Sequence, residues 1–280
     1  MSMRINTNTD ALAAMRQLSV TSNMLTSATE RLSSGLRINH ASDDAAGLSI
    51  SEKLEAQVRG TNQAQRNALD GISLLQTADG ALQEVHTILQ RMRELAVQAA
   101  NDTMTCEDRN SIVVELAQLG NELDAISCQT TFNTKHLLDG TFLGSLQVGA
   151  DCGQILSIDL SSASIDSATL GFGTGGSLVP TSASGNDIWT KMIASVDLAI
   201  NSVSTVRSIV GADQNRLDSI VRRVGVANET MSAAQSRIRD ADMAKESVSF
   251  NKALILQQSG IAVLAQANTA PRNILPLLQG

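Results

Sequence analysis

Ile72-Ser-Leu-Leu-Gln-Thr-Ala-Asp-Gly-Ala-Leu82-Gln-Glu-Val-His-Thr-Ile-Leu-Gln-Arg-Met92-Arg-Glu-Leu-Ala-Val-Gln-Ala99 is the stretch that decides the fold. Within it Ile72, Leu75, Ala78, Leu82, Val85, Leu89, Met92, Ala96 and Ala99 recur in steps of three and four, alternating from Leu75 onward. Such steps average about 3.5 residues against about 3.6 per helical turn, so the side chains form one apolar seam down a helix that supercoils with a partner. Followed backward, the same register meets Gly71, Ala68, Ala64 and Leu54 down to Ile50, with polar Thr61 and Gln57 interrupting it. The small residues there predict a close helix approach.

Two further seams lie downstream. Ile112, Leu116, Leu119, Leu123 and Ile126 follow a polar reversal at Asn101, Asp102 and Thr103. The longest seam runs through Met192, Val196, Ala199, Val203, Val206, Val210, Asp213, Leu217, Ile220, Val224, Ala227, Met231, Ala234, Ile238 and Ala241, and only Asp213 breaks it. Ile50 to Ala99 and Met192 to Ala241 have equal residue counts, and at ~1.5 Å per residue each makes a helix of about 75 Å. Equal lengths predict two long helices side by side, with the shorter one as a third member of the bundle. The three prolines, Pro180, Pro271 and Pro276, leave everything before Pro180 free to be helical. Between the second and third seams, Leu146 and Val148, then Ile155, Leu156, Ile158 and Leu160, alternate around Gly149-Ala-Asp-Cys-Gly153, as a β-hairpin does. Residues 161–186, rich in Ser, Thr, Ala and Gly, read as a linker. The fold class is therefore mainly α, a long-helix coiled-coil bundle with a small β-hairpin region.

The two ends are amphipathic as well. Ala11, Leu18, Leu25 and Leu32 recur every seven residues with Met15 between, and the tail carries Leu254, Ile261, Val263 and Leu264 before its prolines. Short isolated helices are marginal in water. Leu18, Leu25, Leu32, Leu254, Ile261 and Leu264 are thus candidate assembly residues, whose apolar stripes call for neighbouring molecules.

Little in the sequence carries catalytic chemistry. The 280 residues sum to a charge of −7 with pI near 5.0, 42% hydrophobic and 2% aromatic. That balance offers neither the cationic surface nor the stacking platforms of a nucleic-acid binder. No continuous apolar run approaches the ~20 residues of a membrane span, and the start lacks the apolar core of a signal peptide, so composition alone predicts a soluble cytoplasmic protein. Cys106, Cys128 and Cys152 are odd in number with no C-x-x-C, which favours free thiols over a disulfide or metal site. Gly171-Phe-Gly173-Thr-Gly175-Gly176 fits G-x-G-x-x-G but has no βαβ unit around it and reads as linker. His40, His86 and His136 are far apart, no H-E-x-x-H or G-x-S-x-G occurs, and the sequons at Asn101 and Asn228 are three-letter matches frequent by chance. Asp43-Asp44 reads as the acidic cap of the long helix rather than an acid/base couple. No enzyme, cofactor or metal is expected.

Leu32-Ser-Ser-Gly-Leu-Arg-Ile-Asn-His40-Ala-Ser-Asp-Asp-Ala-Ala-Gly-Leu-Ser-Ile50 and Asp70-Gly-Ile-Ser-Leu-Leu-Gln-Thr-Ala-Asp-Gly-Ala-Leu82 closely resemble the amino-terminal signature of bacterial flagellins. Ser236-Arg-Ile-Arg-Asp-Ala-Asp242, Ile255-Leu-Gln-Gln-Ser-Gly260 and Val263-Leu-Ala-Gln-Ala-Asn268 resemble the carboxy-terminal one. The resemblance covers about residues 3–160 and 187–279. It implies a filament subunit in which residues 1–44 with 240–280 form a terminal coiled-coil assembly domain. Residues 45–170 with 187–239 would form a helical rod including the hairpin region 141–160, and 171–186 would stand as a linker where other members insert outer domains.

The resemblance also implies export without a cleaved signal through the flagellar type III apparatus to an extracellular filament. Folding would then be coupled to assembly, and a head-to-tail contact that does not close would yield a helical polymer. The partners it implies are further copies of the chain, an export chaperone on the carboxy-terminal helix, the filament cap protein and hook-filament junction proteins. A junction protein is the alternative identity, disfavoured by the close match at both ends. Gln90-Arg-Met-Arg-Glu-Leu-Ala-Val-Gln98 resembles the segment recognised by the animal flagellin-sensing Toll-like receptor, with Gln90, Arg91, Leu95 and, on the next helix, Glu115 as carried-over receptor-binding residues. Arg91 and Leu95 fall off the seam and are expected to face outward.

Overall fold

A computed structural model describes residues 7–161, 163–166, 170 and 186–269. Five helices dominate them: α1 (Thr9–Ser34), α2 (Ala45–Ala99), α3 (Cys106–Gln129), α4 (Asn186–Arg239) and α5 (Met243–Thr269). Four short strands lie between α3 and α4: β1 (Thr131–Phe132), β2 (Lys135–His136), β3 (Leu143–Gln147) and β4 (Ile155–Asp159). Most of the linker 171–186, its G-x-G-x-x-G match and all three prolines lie outside the described residues. By internal contacts the chain forms two compact units, residues 1–56 with 230–280 and residues 57–229.

The unit of residues 57–229 is built on the seam. Leu75, Ala78, Leu82, Val85, Leu89, Met92, Ala96 and Ala99 of α2 are fully buried, as are Met192, Val196, Val210 and Leu217 of α4. The two helices run antiparallel, held by Asn228 Nδ2 donating to Asn62 Oδ1 (2.6 Å), Arg207 Nε to Asp79 Oδ1 (2.9 Å) and Arg93 Nε to Asp197 Oδ1 (2.6 Å). Leu74, Ala81, Ile88 and Leu95, one position before the Leu75 row, make a second row that widens the apolar face of α2; Leu74 and Leu95 are buried, Ala81 and Ile88 half-buried. A helix with neighbours on two sides needs that wider face. On α3, Ile112, Leu116 and Leu123 are buried and belong to the same core. Thr105 caps α3 with a reciprocal bond pair to Asp108, and these hydrogen bonds hold the Asp108 carboxyl below its usual range.

The hairpin takes over along α2 where α3 stops. β3 and β4 pair antiparallel with Leu146 opposite Leu156 and Ser145 opposite Ser157, and Leu156 and Ile158 turn inward. Asn67 Nδ2 donates to the Gln147 carbonyl at 3.0 Å. The small residues of α2 serve this approach as well as the helix approach read from the sequence: a Cβ on Gly71 would collide with Leu146 and lie 3.3 Å from Leu217 Cδ1, and one on Gly60 would lie 2.8 Å from the Ala150 Cβ. A second hairpin, β1–β2, turns through Asn133 (φ 48°) and Thr134 (φ 66°). Two-residue strands are too short for alternation to reveal, which is why the sequence reading passes over it.

One passage of α4 within Asp187–Arg239 reaches a mean hydropathy of 1.2, apolar enough by length and composition to cross a membrane. Counting unbroken runs misses it because Ser and Thr interrupt the run while lowering the average little. The seam of that helix is packed against the bundle.

In the unit of residues 1–56 with 230–280, α1 and α5 lie antiparallel: Asn8 Nδ2 donates to the Ala267 carbonyl (2.8 Å) at one end and Arg31 pairs with Glu246 (3.5 Å) at the other. Asn8 caps α1 and Gly35 (φ 72°) ends it. Asp44 accepts from the Gly47 amide (2.8 Å) at the head of α2, the cap that the sequence predicts. Asp43 instead accepts from the His40 and Asn39 amides, which hold its carboxyl below the usual range.

Gly60→Val should destabilise the unit of residues 57–229 by about 1–3 kcal/mol, because the facing Ala150 backbone cannot swing away. Gly211→Ala, with open space at its Cβ inside α4, should stabilise by up to about 1 kcal/mol through helix propensity. Thermal unfolding followed by the emission of Trp189, fully buried in that core, checks both; equal shifts would contradict the close hairpin approach.

Candidate functional site

Two surfaces carry the residues singled out by the sequence. On the first, Arg91 stands exposed on α2 and reaches across to α3. Its Nε and Nη2 donate to Glu115 Oε1 at 3.0 and 2.8 Å, and its Nη1 to Glu94 Oε2 at 3.3 Å. The hydrogen bonds from Glu115 and then Glu94 raise the guanidinium above the usual arginine range. Arg91, Glu94 and Glu115 thus form a fixed, water-facing cluster in which a guanidinium edge and two carboxylates are presented together. Gln90 is exposed beside it, its amide 2.9 Å from the His86 ring.

Leu95 corrects the expectation that it faces outward: it is 2% exposed and belongs to the core. It lies in the widened row with Leu74, Ala81 and Ile88. That heptad row was present in the sequence, but a seam drawn for one partner leaves out the side chains that a third element covers. Glu94, the second partner of Arg91, is the residue that the sequence reading missed; a charge three residues from an arginine on a helix is its signal.

The second surface is the α1–α5 pair. Ala11, Leu18, Leu25 and Leu32, with Ala14, Thr21 and Ala28, are among the less exposed residues of α1 and form its inner edge. The inner edge of α5 is Glu246, Phe250, Ala253, Gln257, Gly260, Leu264 and Ala267, with Leu254 half-buried alongside. Leu18 comes within 3.3 Å of where a Gly260 Cβ would stand. Of the candidate assembly residues, Leu18, Leu25, Leu32, Leu254 and Leu264 are therefore half-buried within this unit, and Ile261 is 54% exposed. The large apolar side chains left in water are others: Leu12, Met15, Val20 and Met24 on α1, and Val248, Ile255, Leu256 and Val263 on α5. Val20, Met24 and Leu256 line a groove of 680 Å³ between the two helices, with Arg31, Arg37, Lys245 and Lys252 around it.

Among the described residues no cluster of His, Cys, Asp or Glu could hold a metal ion, and Cys106, Cys128 and Cys152 are exposed free thiols. Leu95→Ala should destabilise the unit of residues 57–229 by about 2–5 kcal/mol, the usual result of emptying a buried leucine site. Arg91→Ala, on the surface, should stay within about 1 kcal/mol. Urea unfolding of the two variants measures the difference, and similar midpoints would mean that Leu95 is not packed as described.

Comparison with known proteins bears on the whole chain. Residues 5–142 match the pattern described as the bacterial flagellin N-terminal helical region, and residues 193–278 match the corresponding C-terminal helical region. A flagellin of Halalkalibacterium halodurans is 46% identical and one of Bacillus subtilis 43%, each alignment spanning 99% of this chain and 100% of the relative. The flagellar filament 30.7 kDa core protein of Treponema maltophilum is 40% identical over the same shares. The crystal structure of Bacillus cereus flagellin aligns with a TM-score of 0.49 at 34% identity, covering 61% of this chain and 94% of that one. With both helical regions matched and relatives aligned from end to end, the chain belongs to the bacterial flagellins, a family of structural proteins.

Proposed function

We propose that this chain polymerises into the bacterial flagellar filament that drives swimming. The observation that carries the reading is the apolar surface of the α1–α5 pair: Leu12, Met15, Met24, Val248, Ile255, Ile261 and Val263 are each about half exposed or more on two helices of one unit. Burying a side chain of this kind is worth roughly 1.5–3 kcal/mol, so several buried at once against neighbouring copies offset the cost of ordering and association. Residues 1–44 with 240–280 act as the assembly domain and residues 45–170 with 187–239 as the rod.

The subunit leaves the cell unfolded through the flagellar type III apparatus, escorted by an export chaperone on α5, and folds at the filament tip beneath the cap protein. Hook-filament junction proteins meet the first subunits. In an animal host, the Gln90, Arg91 and Glu115 face is what the flagellin-sensing Toll-like receptor contacts, with Leu95 supporting that face from beneath. The fixed Arg91–Glu115 geometry favours this reading, because a guanidinium already oriented by carboxylates loses less freedom on binding.

Ile261→Asp with Val263→Asp should abolish filament growth from seeds while leaving the Trp189 thermal transition unchanged, since both side chains are exposed in the single chain. Sedimentation and electron microscopy read the outcome, and filaments of normal length would overturn the assembly role of α5. Arg91→Ala should lower receptor signalling by monomers without preventing polymerisation; unchanged signalling would remove the receptor reading alone.

A further inference from the structure

The arginines of the unit of residues 57–229 are nearly all engaged within the chain. Arg91, Arg93, Arg109, Arg207 and Arg216 stand in ion pairs, Arg66 donates to Gln63, and Arg59 interacts as well. Arg222 and Arg223 are the exception: both are exposed on α4, and neither makes an ion pair or a side-chain hydrogen bond among the described residues. Even Asp218, one helical turn before Arg222 and exposed like it, does not bridge to it. Two neighbouring guanidinium groups without a carboxylate repel each other and offer directional, charge-assisted donors to an anionic surface.

The negative charge of the chain is concentrated elsewhere. Residues 101–170 hold ten Asp and Glu against Arg109 and Lys135, a charge of −8, so the rest of the chain sums to +1. On α3, Asp108, Glu115 and Glu122 recur every seven residues and so lie along one line of the helix. Asp108 is bonded to Thr105 and Glu115 to Arg91, whereas Glu122 is exposed and has no partner among the described residues. The last turn of α3 holds no basic side chain, and Lys135 is the only Lys or Arg from residue 110 to residue 190. The carbonyl end of α3, two turns beyond Glu122, adds the negative pole of a helix dipole.

We infer that Arg222 and Arg223 of one copy dock on Glu122 and the carbonyl end of α3 in a second copy, an ion-paired side contact between rods; this rests on the reading that the chain polymerises. The arginines cannot reach Glu122 of their own chain. Asn228 opposite Asn62 and Arg207 opposite Asp79 set them level with about residues 63–68 of α2, and Arg91 opposite Glu115 sets Glu122 level with about residue 84. At ~1.5 Å per residue the two lie roughly 25 Å or more apart along the bundle, several times the reach of an arginine side chain. Between parallel copies, a donor patch and an acceptor patch at different heights make a heterologous contact. Each added copy then leaves one patch of each kind free, and neighbours are staggered by that distance. The strong charge asymmetry of the chain favours a second copy as the occupant, because the same molecule carries both halves of the contact.

The test uses the full chain in seeded growth followed by sedimentation. Arg222→Glu with Arg223→Glu should raise the critical concentration for growth about tenfold, and Glu122→Arg alone should act in the same direction. Both variants should keep the Trp189 thermal transition, since none of the three side chains is bonded within the single chain. Combining the three reversals should return the critical concentration to within about threefold of the parent. In a second arm, Arg222→Lys with Arg223→Lys keeps the charges, and a carbodiimide should join the introduced amines to Glu122 in filaments but not in monomers, read as a linked peptide by mass spectrometry. A parent chain that grows no filaments overturns the filament reading and this contact with it. Where the parent grows, three results overturn the contact alone: growth of the arginine reversal at the parent's concentration, which would assign the pair to an anionic partner other than this chain; reversals whose effects add instead of cancelling; or filaments in which no link to Glu122 forms.

Discussion

The antiparallel packing of α2 against α4 is the interaction on which everything else rests. With only 2% aromatic residues, this chain cannot build its core from a few large rings. It must bury many Leu, Val, Ala and Met side chains of modest size, and long helices do this by repeating one small contact many times. Length substitutes for bulk. Asp213 shows how firmly the pairing is set: a carboxylate 7% exposed sits inside the seam, accepting from Arg216 Nη1 at 2.8 Å, and the buried rows continue on both sides of it. α3 and then the β3–β4 hairpin lie along the same helix, so both pack on α2.

The α1–α5 pair follows a different rule. Its inner edge includes Glu246, Gln257 and Gly260, groups that pack little apolar area, while Val248, Ile255, Ile261 and Val263 point to water. A pair so arranged gains little from its own interface and has much to gain from a neighbour. On the proposed assembly, that asymmetry is what a subunit needs if its ends are to order on contact with other copies.

The repeat of three and four determined, without any structure, that α2, α3 and α4 exist, that their seams face one another and that the core is helical; the alternation around Gly149–Gly153 determined the β3–β4 hairpin. These are periodic signals, and periodicity is a property of the chain alone. Leu95, the break at Asp240–Asp242 and the neighbours of Gly60 and Gly71 were decided by tertiary structure. A side chain beside a seam is buried or exposed according to whether a third element covers it. At the end of α4 the Ile238 and Arg239 carbonyls accept from the side chain and the amide of Arg37, some two hundred residues away, and a small residue admits whichever partner arrives. In each case the deciding group lies tens to hundreds of residues away along the chain, so no local pattern records it.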